Sequence, residues 1–160
     1  MPGSGKSTLG VLLAKALGFS FIDTDLIISR IADKPLQEIL NNEGLRAFLE
    51  LEEKVGCELN CDKTVIATGG SMVLCEKAMH NLKSNSQVIY IKVPLDEIKR
   101  RVTNITTRGI AFDKGETLDD VYRTRIPLYE KYADVSVDFN DVSEYNSVEN
   151  MIEAMVQKLI

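Results

Sequence analysis

The first eight residues, MPGSGKST, combine small residues with a lysine and hydroxyl side chains. Gly5, Lys6 and Ser7 supply the second half of the pattern G-x-x-x-x-G-K-[ST], in which a glycine-rich turn runs from a strand into a helix. Because Gly3 and Gly5 lack a Cβ, the backbone can curl and direct its N–H groups at phosphate oxygens. The helix that begins near Lys6 adds the positive end of its dipole. The stretch therefore predicts a phosphate-binding loop, or P-loop.

Two side chains of the loop suit the chemistry of a nucleotide and its metal ion. Lys6 can reach the outer phosphates as a point charge, and the Ser7 hydroxyl is placed to bind Mg²⁺. The alternative is that a Gly/Ser turn and a lysine met by chance. The amphipathic helix that follows directly, STLGVLLAKALG, favours the phosphate-binding interpretation.

Two carboxylates follow the next predicted strand. The stretch FIDTD puts Asp23 and Asp25 where a strand ends and a helix begins, and ligands of open α/β sheets bind beyond the carboxyl ends of the strands. Asp23 could hold Mg²⁺ through water near Ser7, while Asp25 could bind a substrate hydroxyl and take its proton. Either aspartate could instead only cap the helix. Two of them at this spacing, after a P-loop helix, favour a functional role.

Helices and strands alternate along the chain and define its fold class. Apolar periodicity predicts helices over 5–17, from 24, from 35, over 45–60, in EKAMHNLKS, over 95–103 and 117–132, and in SVENMIEAMVQKLI. Nearly all-apolar strands are predicted at 19–23, 64–68, 87–93 and 135–139. This order implies a parallel sheet covered on both faces, so we expect one three-layer α/β/α domain of residues 1–160.

The loop lacks the elements that normally precede it. The first glycine of the pattern would fall one position before Met1, and the strand that feeds such a loop would lie upstream. In three-layer folds with this loop that strand is central, so its absence would leave two half-sheets with unpaired edges. We expect a sheet without its first strand and a clipped reading frame. A structurally compromised product is the alternative.

The composition of the 160 residues excludes several classes of protein. With 44% hydrophobic and 27% charged residues the chain is typical of a globular protein, and a net charge of −5 argues against a nucleic-acid surface. It contains no run of 18 apolar residues for a membrane span and no signal-peptide cleavage site. Reduced thiols are favoured over a metal site, because the chain contains only three cysteines and one histidine: Cys57, Cys61, Cys75 and His80. We expect a monomer in the cytoplasm that binds neither nucleic acid nor membrane.

Four motifs in order, PGSGKST, DTD, TGG and RIPLYEKYAD, resemble those of the shikimate kinase family over essentially the whole chain. The resemblance implies a P-loop kinase that uses ATP and Mg²⁺ to phosphorylate a hydroxyl of a cyclic acid, in aromatic amino acid biosynthesis. Asp23 would then join Ser7 at the metal. The resemblance also implies a set of residues that bind the nucleotide: Gly3, Ser4, Gly5, Lys6, Ser7, Thr8 and Arg101.

The same resemblance assigns the acceptor site. Asp25 matches the residue that binds the acceptor hydroxyls and serves as the candidate base, and Arg125 matches the arginine that pairs with the acceptor carboxylate, for which its planar fork is suited. Gly69 and Gly70 match glycines whose backbone N–H groups lie against the substrate.

An irregular stretch at 104–116, NITTRGIAFDKGE, has the composition of a mobile lid that would shield the reacting phosphate from water. The resemblance makes Arg108 the lid residue that reaches toward the transferring phosphoryl group. Lys6, Arg108 and Mg²⁺ would together supply the positive charge that phosphoryl transfer needs. The lids of nucleotide monophosphate kinases carry several arginines, whereas Arg108 is alone in this stretch.

The segment EGLRAFLELEE departs from the family pattern GE..FR. Leu45 stands for the glutamate, and Leu49 stands for an arginine that forms a second clamp on the acceptor carboxylate. Arg46 is nearly a full turn from Leu49, and Ser71 replaces a third glycine. Losing a charged partner from a buried carboxylate site costs about 2–5 kcal/mol. This departure leaves open a kinase for another small hydroxy acid, amino acid or polyol. The missing first strand and first loop glycine leave open a non-catalytic nucleotide-binding or truncated, degenerate protein.

Overall fold

Helices and strands alternate in the computed structural model, which describes residues 1–103, 109–113, 115–138 and 147–159. Its strands are β1 (Ser20–Asp23), β2 (Thr64–Ala67), β3 (Ile89–Lys92) and β4 (Val135–Asp138). Its α-helices are α1 (Lys6–Leu17), α2 (Thr24–Ala32), α3 (Leu36–Glu58), α4 (Glu76–Ser84), α5 (Leu95–Arg101), α6 (Leu118–Tyr132) and α7 (Val148–Leu159), with a short 3₁₀ helix at Met72–Leu74. Every helix and strand predicted on these residues is present.

Two helices predicted separately are joined end to end in α3. The chain bends at Gly44, where φ is 84° and ψ is 172°. Such a positive φ is readily adopted by glycine and strained for other residues. The second half of α3 can therefore run in its own direction, and its buried side chains Phe48, Glu52 and Val55 face the interior.

The expected parallel sheet is present as two pairs of strands. β1 pairs with β2 from Ser20↔Thr64 to Asp23↔Ala67, and β3 pairs with β4 from Ile89↔Val135 to Lys92↔Asp138. No strand pairing joins the two sheets within the described ranges. Most strand positions are half-buried, and each strand has a hydrogen-bonded neighbour on one side only among the described residues.

Two helices pack across both pairs of strands. Leu9 and Leu13 of α1 and Met151 and Met155 of α7 form one buried cluster, which also contacts Val65 of β2 and Ile89 and Ile91 of β3. Burying a side chain of this size contributes about 1.5–3 kcal/mol to folding. The cluster holds α1, and with it the loop at the start of α1, against both half-sheets.

A second cluster positions the other side of the candidate site. Ile28 of α2 packs with Ile39, Phe48 and Val55 of α3, and Ala111 from the segment 109–113 is buried among them. Among the residues the structure describes, no helix combines the length and apolarity needed to cross a membrane. The three cysteines are free; Cys75 is buried and the others are exposed.

Candidate active site

The loop between Met1 and α1 adopts the curled backbone that its glycines predict. Gly3 and Gly5 have φ values of 74° and 87°. A Cβ on Gly3 would also come within 2.6 Å of Cγ2 of Val102, so this position is closed to larger residues by packing as well as by backbone strain. The backbone of the loop is therefore held close against α5.

A cavity of about 510 Å³ lies beyond the carboxyl ends of β1 and β2. Six of the residues predicted to bind the nucleotide line it: Gly3, Gly5, Lys6, Ser7, Thr8 and Arg101. Ser4 does not line the cavity. Its side chain is buried and its hydroxyl donates to the carbonyl oxygen of Met1 over 2.9 Å, so it stabilises the turn from inside.

Lys6 connects the loop with the carboxylates of the site. Its Nζ donates to the carbonyl oxygen of Met1 over 2.8 Å. Burial lowers the pKa of Lys6, and Arg125 lowers it further, whereas Asp25 and Asp23 act to raise it. A poorly solvated ammonium beside these groups gains strongly from an added anion, as expected of a phosphate ligand.

Asp23 contacts both Ser7 and the start of α2. Its Oδ2 accepts from the Ser7 hydroxyl over 2.6 Å, and its Oδ1 accepts from the backbone N–H of Asp25 over 3.0 Å, which caps α2. The described residues contain no group of three His, Cys, Asp or Glu side chains that could hold a metal. Mg²⁺ is commonly bound by only one or two protein oxygens plus phosphates and water, and Ser7 with Asp23 fits that donor set.

Asp25 faces the same cavity from the first turn of α2. Burial raises the pKa of Asp25, the neighbouring Asp23 raises it further, and Lys6 lowers it. A carboxylate with a raised pKa is a stronger base than one in water, which suits a group that takes a proton from an alcohol.

The two glycines after β2 differ in what they offer to a ligand. The N–H of Gly69 donates to Oγ1 of Thr24 over 2.9 Å, so this N–H is already paired within the protein and its contact with a substrate stays a prediction. Gly69 leaves room instead: a Cβ there would overlap Oε1 of Glu52 and lie 2.7 Å from Oδ1 of Asp25. The carbonyl oxygen of Gly70 accepts from the Tyr129 hydroxyl over 2.5 Å, which fixes the peptide that follows.

Arg125 is buried in α6 and lines the cavity. Its Nη2 donates to the carbonyl oxygen of Ala111. Gly109, at the other end of the same segment, donates its N–H to Oε1 of Gln37 over 3.0 Å. Hydrogen bonds to Arg125 of α6 and to Gln37 of α3 thus hold the segment 109–113 at the cavity wall.

Arg101 lines the cavity beside the loop. Its Nε donates to Oε1 of Glu97 over 2.6 Å, and its Nη1 donates to the carbonyl oxygen of Gly3 over 3.3 Å. The guanidinium therefore lies next to the predicted phosphate-binding backbone. Arg108 lies outside the described residues, so its role stays a prediction.

Glu52 of α3 also lines the cavity, although no side-chain atom of it is exposed to solvent. Neither carboxylate oxygen has a partner in hydrogen-bond geometry within the described part of the chain, although the Ser71 hydroxyl is close enough to act on its pKa. Burial raises its pKa to about 7; the nearby Ser71 hydroxyl, Arg125 and Lys6 oppose this rise, and Asp25 adds to it. The position was missed from the sequence, although its spacing of four from Phe48 and three from Val55 puts it on the buried face of the helix.

Known proteins resemble this chain in sequence and in fold. A family model described as shikimate kinase matches residues 2–156. The chain belongs to the shikimate kinase family. It is therefore a small-molecule kinase, with the α/β fold of the P-loop kinases.

Individual shikimate kinases resemble this chain over most of its length. One from Microcystis aeruginosa is 37% identical and aligns with 100% of this chain and 85% of its own length. One from Clostridium botulinum (strain Loch Maree / Type A3) is 37% identical over 82% of this chain and 79% of its own. The structure of the shikimate kinase from Acinetobacter baumannii in complex with shikimate has a TM-score of 0.84 and 27% identity, and covers 98% of this chain and 89% of its own.

Two departures from the shikimate kinase pattern can be located in the structure. Leu49 packs in the apolar cluster of α2 and α3 and leaves no charged group at its position. Arg46 does not replace the missing arginine, because its side chain is largely exposed and pairs with Glu50 over 2.9 Å. Besides Lys6 and Arg101 at the loop, Arg125 is the cation that the described residues place at the cavity wall.

Proposed function

We propose that the chain transfers the γ-phosphoryl group of ATP to a hydroxyl group of shikimate, in the cytoplasm and as a monomer. One observation carries the proposal: a single cavity is lined both by the loop with Lys6 and by Asp25 and Arg125. A phosphate donor and an acidic alcohol could therefore meet without an intervening wall. Family membership and the relative solved with shikimate support the choice of acceptor.

The nucleotide end of the cavity would act mainly through positive charge and positioning. Lys6 would contact the outer phosphates, the N–H groups of the loop would bind their oxygens, and Arg101 would lie over the base. Ser7 and Asp23, already 2.6 Å apart, would hold Mg²⁺, which neutralises phosphate charge when bound.

The acceptor end would orient and deprotonate the alcohol. Arg125 would pair with the carboxylate of the acceptor, and Asp25 would accept the proton of the hydroxyl as its oxygen attacks the γ-phosphorus. The bond to the β-phosphate oxygen breaks in the same transfer, and ADP leaves. Burial of both residues favours these contacts, because charge-assisted hydrogen bonds are stronger away from water.

The segment at about 104–116 would act as the lid of this single domain. Its part at 109–113 contacts Arg125 and Gln37, so a shift of the lid would change the hydrogen bonding of Arg125. Closure would exclude water from the reacting phosphate and bring Arg108 to it.

ADP release by the purified 160-residue chain, measured with Mg·ATP and shikimate in a coupled assay, tests the proposal. We expect turnover that depends on both shikimate and Mg²⁺. Binding of Mg·ATP by calorimetry, with no turnover on shikimate, would refute the acceptor while retaining the nucleotide site. Absence of Mg·ATP binding would refute the kinase proposal for this chain as a whole.

A second acceptor class is favoured by Leu49. Of the two arginines that the described residues place at the cavity, Arg101 lies beside the loop, so Arg125 alone would be left for an acceptor carboxylate. The same assay over a panel of small hydroxy acids, hydroxyl-bearing amino acids and polyols distinguishes the two. A kcat/KM higher for one of these than for shikimate would establish the second candidate.

A further inference from the structure

Glu52 is a buried acid that the proposed reaction does not use. Its side chain lines the cavity, is fully inaccessible to solvent, and has no hydrogen-bond partner for either oxygen within the described residues. A buried polar atom without a partner is costly, so most buried polar atoms are paired. Two such atoms at the wall of a binding cavity indicate a partner that arrives with the ligand.

The carboxyl group of Glu52 lies in a mixed electrostatic environment. The charged groups that face it are Asp25 of α2, Arg125 of α6 and Lys6 of α1. Three uncharged or neutral groups complete its surroundings: Ser71, Cys75 and Tyr129. Burial raises the pKa of both Cys75 and Tyr129 to about 12, so these two stay neutral through the physiological range.

Asp25 and Glu52 approach each other across Gly69. The position of a Cβ on Gly69 would overlap Oε1 of Glu52 and lie 2.7 Å from Oδ1 of Asp25. Two carboxyl groups this close do not both ionise readily, and the more deeply buried one keeps the proton. Glu52 is fully inaccessible, whereas Asp25 is stabilised as an anion by Lys6. Burial and this repulsion raise the pKa of Glu52 to about 7.

A protonated carboxyl group can do what a carboxylate cannot. It donates one hydrogen bond, and so can bind an anionic oxygen that a carboxylate would repel. Arg125 is the described cation at this end of the cavity, and one of its nitrogens already donates to Ala111. In its protonated form, Glu52 would add a donor for an acidic acceptor beside the remaining N–H groups of Arg125.

We propose that Glu52 is a specificity-determining residue that binds in its protonated form and donates a hydrogen bond to the carboxylate of the acceptor, beside Arg125. The inference rests on the proposed function, because it assumes an acceptor with a carboxylate. At any pH at which Glu52 is ionised in the free protein, binding of the acceptor would then take up one proton. Affinity for the acceptor then falls as the pH rises above about 7.

Calorimetry with shikimate, in the presence of ADP, tests this inference on the full chain. For the unaltered protein we expect the dissociation constant to rise about tenfold between pH 6 and pH 8, because one protonated group is required. At pH 8, comparison of buffers with different ionisation enthalpies should show uptake of close to one proton. Glu52→Gln keeps the shape and the donor but cannot ionise, so its affinity should stay near the pH 6 value and show no proton uptake.

Glu53→Gln is the matched control. Glu53 is the neighbouring residue of α3 and pairs with Lys77 at the surface over 3.1 Å, so its replacement removes the same charge away from the cavity. This variant should retain the tenfold change and the proton uptake. If the dissociation constant of shikimate depends equally on pH in the unaltered protein and in Glu52→Gln, the role of Glu52 is overturned. The proposed function is not, because shikimate would still bind.

Two further outcomes are informative. Loss of affinity in Glu52→Gln at every pH would mean that ionised Glu52 binds a cationic group, which overturns the donor role. Carbon-13 NMR of labelled glutamate, assigned by comparison with Glu52→Gln, follows the carboxyl group without any acceptor. A titration near the ordinary glutamate range would overturn the inference, whereas failure of shikimate to bind any variant at any pH would overturn the proposed function first.

Discussion

Arg125 donates a hydrogen bond from Nη2 to the carbonyl oxygen of Ala111, so the arginine proposed to bind the acceptor also holds the segment 109–113. Ala111 is buried against α2 and α3. The guanidinium of Arg125 has five N–H donors. An acceptor carboxylate bound there would share them with this carbonyl oxygen. Acceptor binding and the position of the segment are thereby linked through one side chain.

Replacing Arg125 by lysine should weaken acceptor binding while preserving charge. Lysine cannot present two parallel donors and cannot serve the carboxylate and Ala111 together. We expect kcat/KM for shikimate to fall by about 30-fold or more, equivalent to about 2 kcal/mol. Arg123→Lys, on the exposed face of the same helix, is the control and should leave the kinetics unchanged. Unaltered kcat/KM in Arg125→Lys would contradict the role of the guanidinium.

Replacing Lys6 by methionine should remove nucleotide binding. Methionine has a similar length and no charge, so the loop keeps its packing but loses the ammonium that balances phosphate charge. Affinity for Mg·ATP, measured by calorimetry, should fall by about 2–3 kcal/mol, or at least 30-fold. Lys15→Met, in the last turn of α1, carries the same change away from the cavity and should bind Mg·ATP normally. Similar affinities in both variants would argue against the phosphate contact.

Replacing Asp25 by asparagine should slow the chemical step more than it weakens binding. The amide can still hydrogen-bond an alcohol but cannot take its proton, so we expect kcat to fall about 10²–10⁴-fold, with a smaller change in KM. The raised pKa of Asp25 also predicts that kcat of the unaltered protein increases with pH as this group ionises. Asp33→Asn, at the exposed end of α2, is the control. A pH profile of kcat that is unchanged in Asp25→Asn would exclude Asp25 as the base.

Introducing an arginine at Leu49 tests the departure from the shikimate kinase pattern. If the cavity otherwise suits shikimate, Leu49→Arg should raise kcat/KM about tenfold, since a charged hydrogen bond contributes about 1.5 kcal/mol. Leu45→Arg places the same charge in the same apolar cluster one turn earlier and should give no gain. No gain in Leu49→Arg would show that the cavity differs from the family in more than this residue.

The elements and the loop could be predicted because their signals are local. Apolar periodicity located each helix and strand, and the positive φ of Gly3 and Gly5 follows from the requirements of the turn itself. Asp23 and Asp25 were found because they follow a strand directly, and the carboxyl end of a strand is a sequence-local feature.

The remaining features depend on contacts between distant segments. The N–H of Gly69 is taken by Thr24, 45 residues earlier, and nothing near either residue indicates this. A glutamate in a charged helical stretch such as ELEEK usually faces solvent. This expectation outweighs the helical spacing that puts Glu52 on the buried face, until Gly69 and Asp25 are packed against it. The contact between Arg125 and Ala111 likewise needs the folded segment 109–113.

Glu52 should make the stability of the protein depend on pH in a defined direction. Its pKa is about 7 in the folded state and about 4.5 in the unfolded chain, so the folded state keeps a proton that the unfolded chain releases between these values. The stabilising contribution is complete below pH 4.5 and is lost as the pH rises through 7, by about 3 kcal/mol in total. Urea unfolding at pH 4.5, 6 and 8 gives the free energy of unfolding of the unaltered protein and of Glu52→Gln. The difference between these two free energies should change with pH by this amount, because all other titrating groups are common to both proteins. Glu53→Gln should follow the unaltered protein. A difference between the unaltered protein and Glu52→Gln that stays constant with pH would mean that folding does not shift the pKa of Glu52.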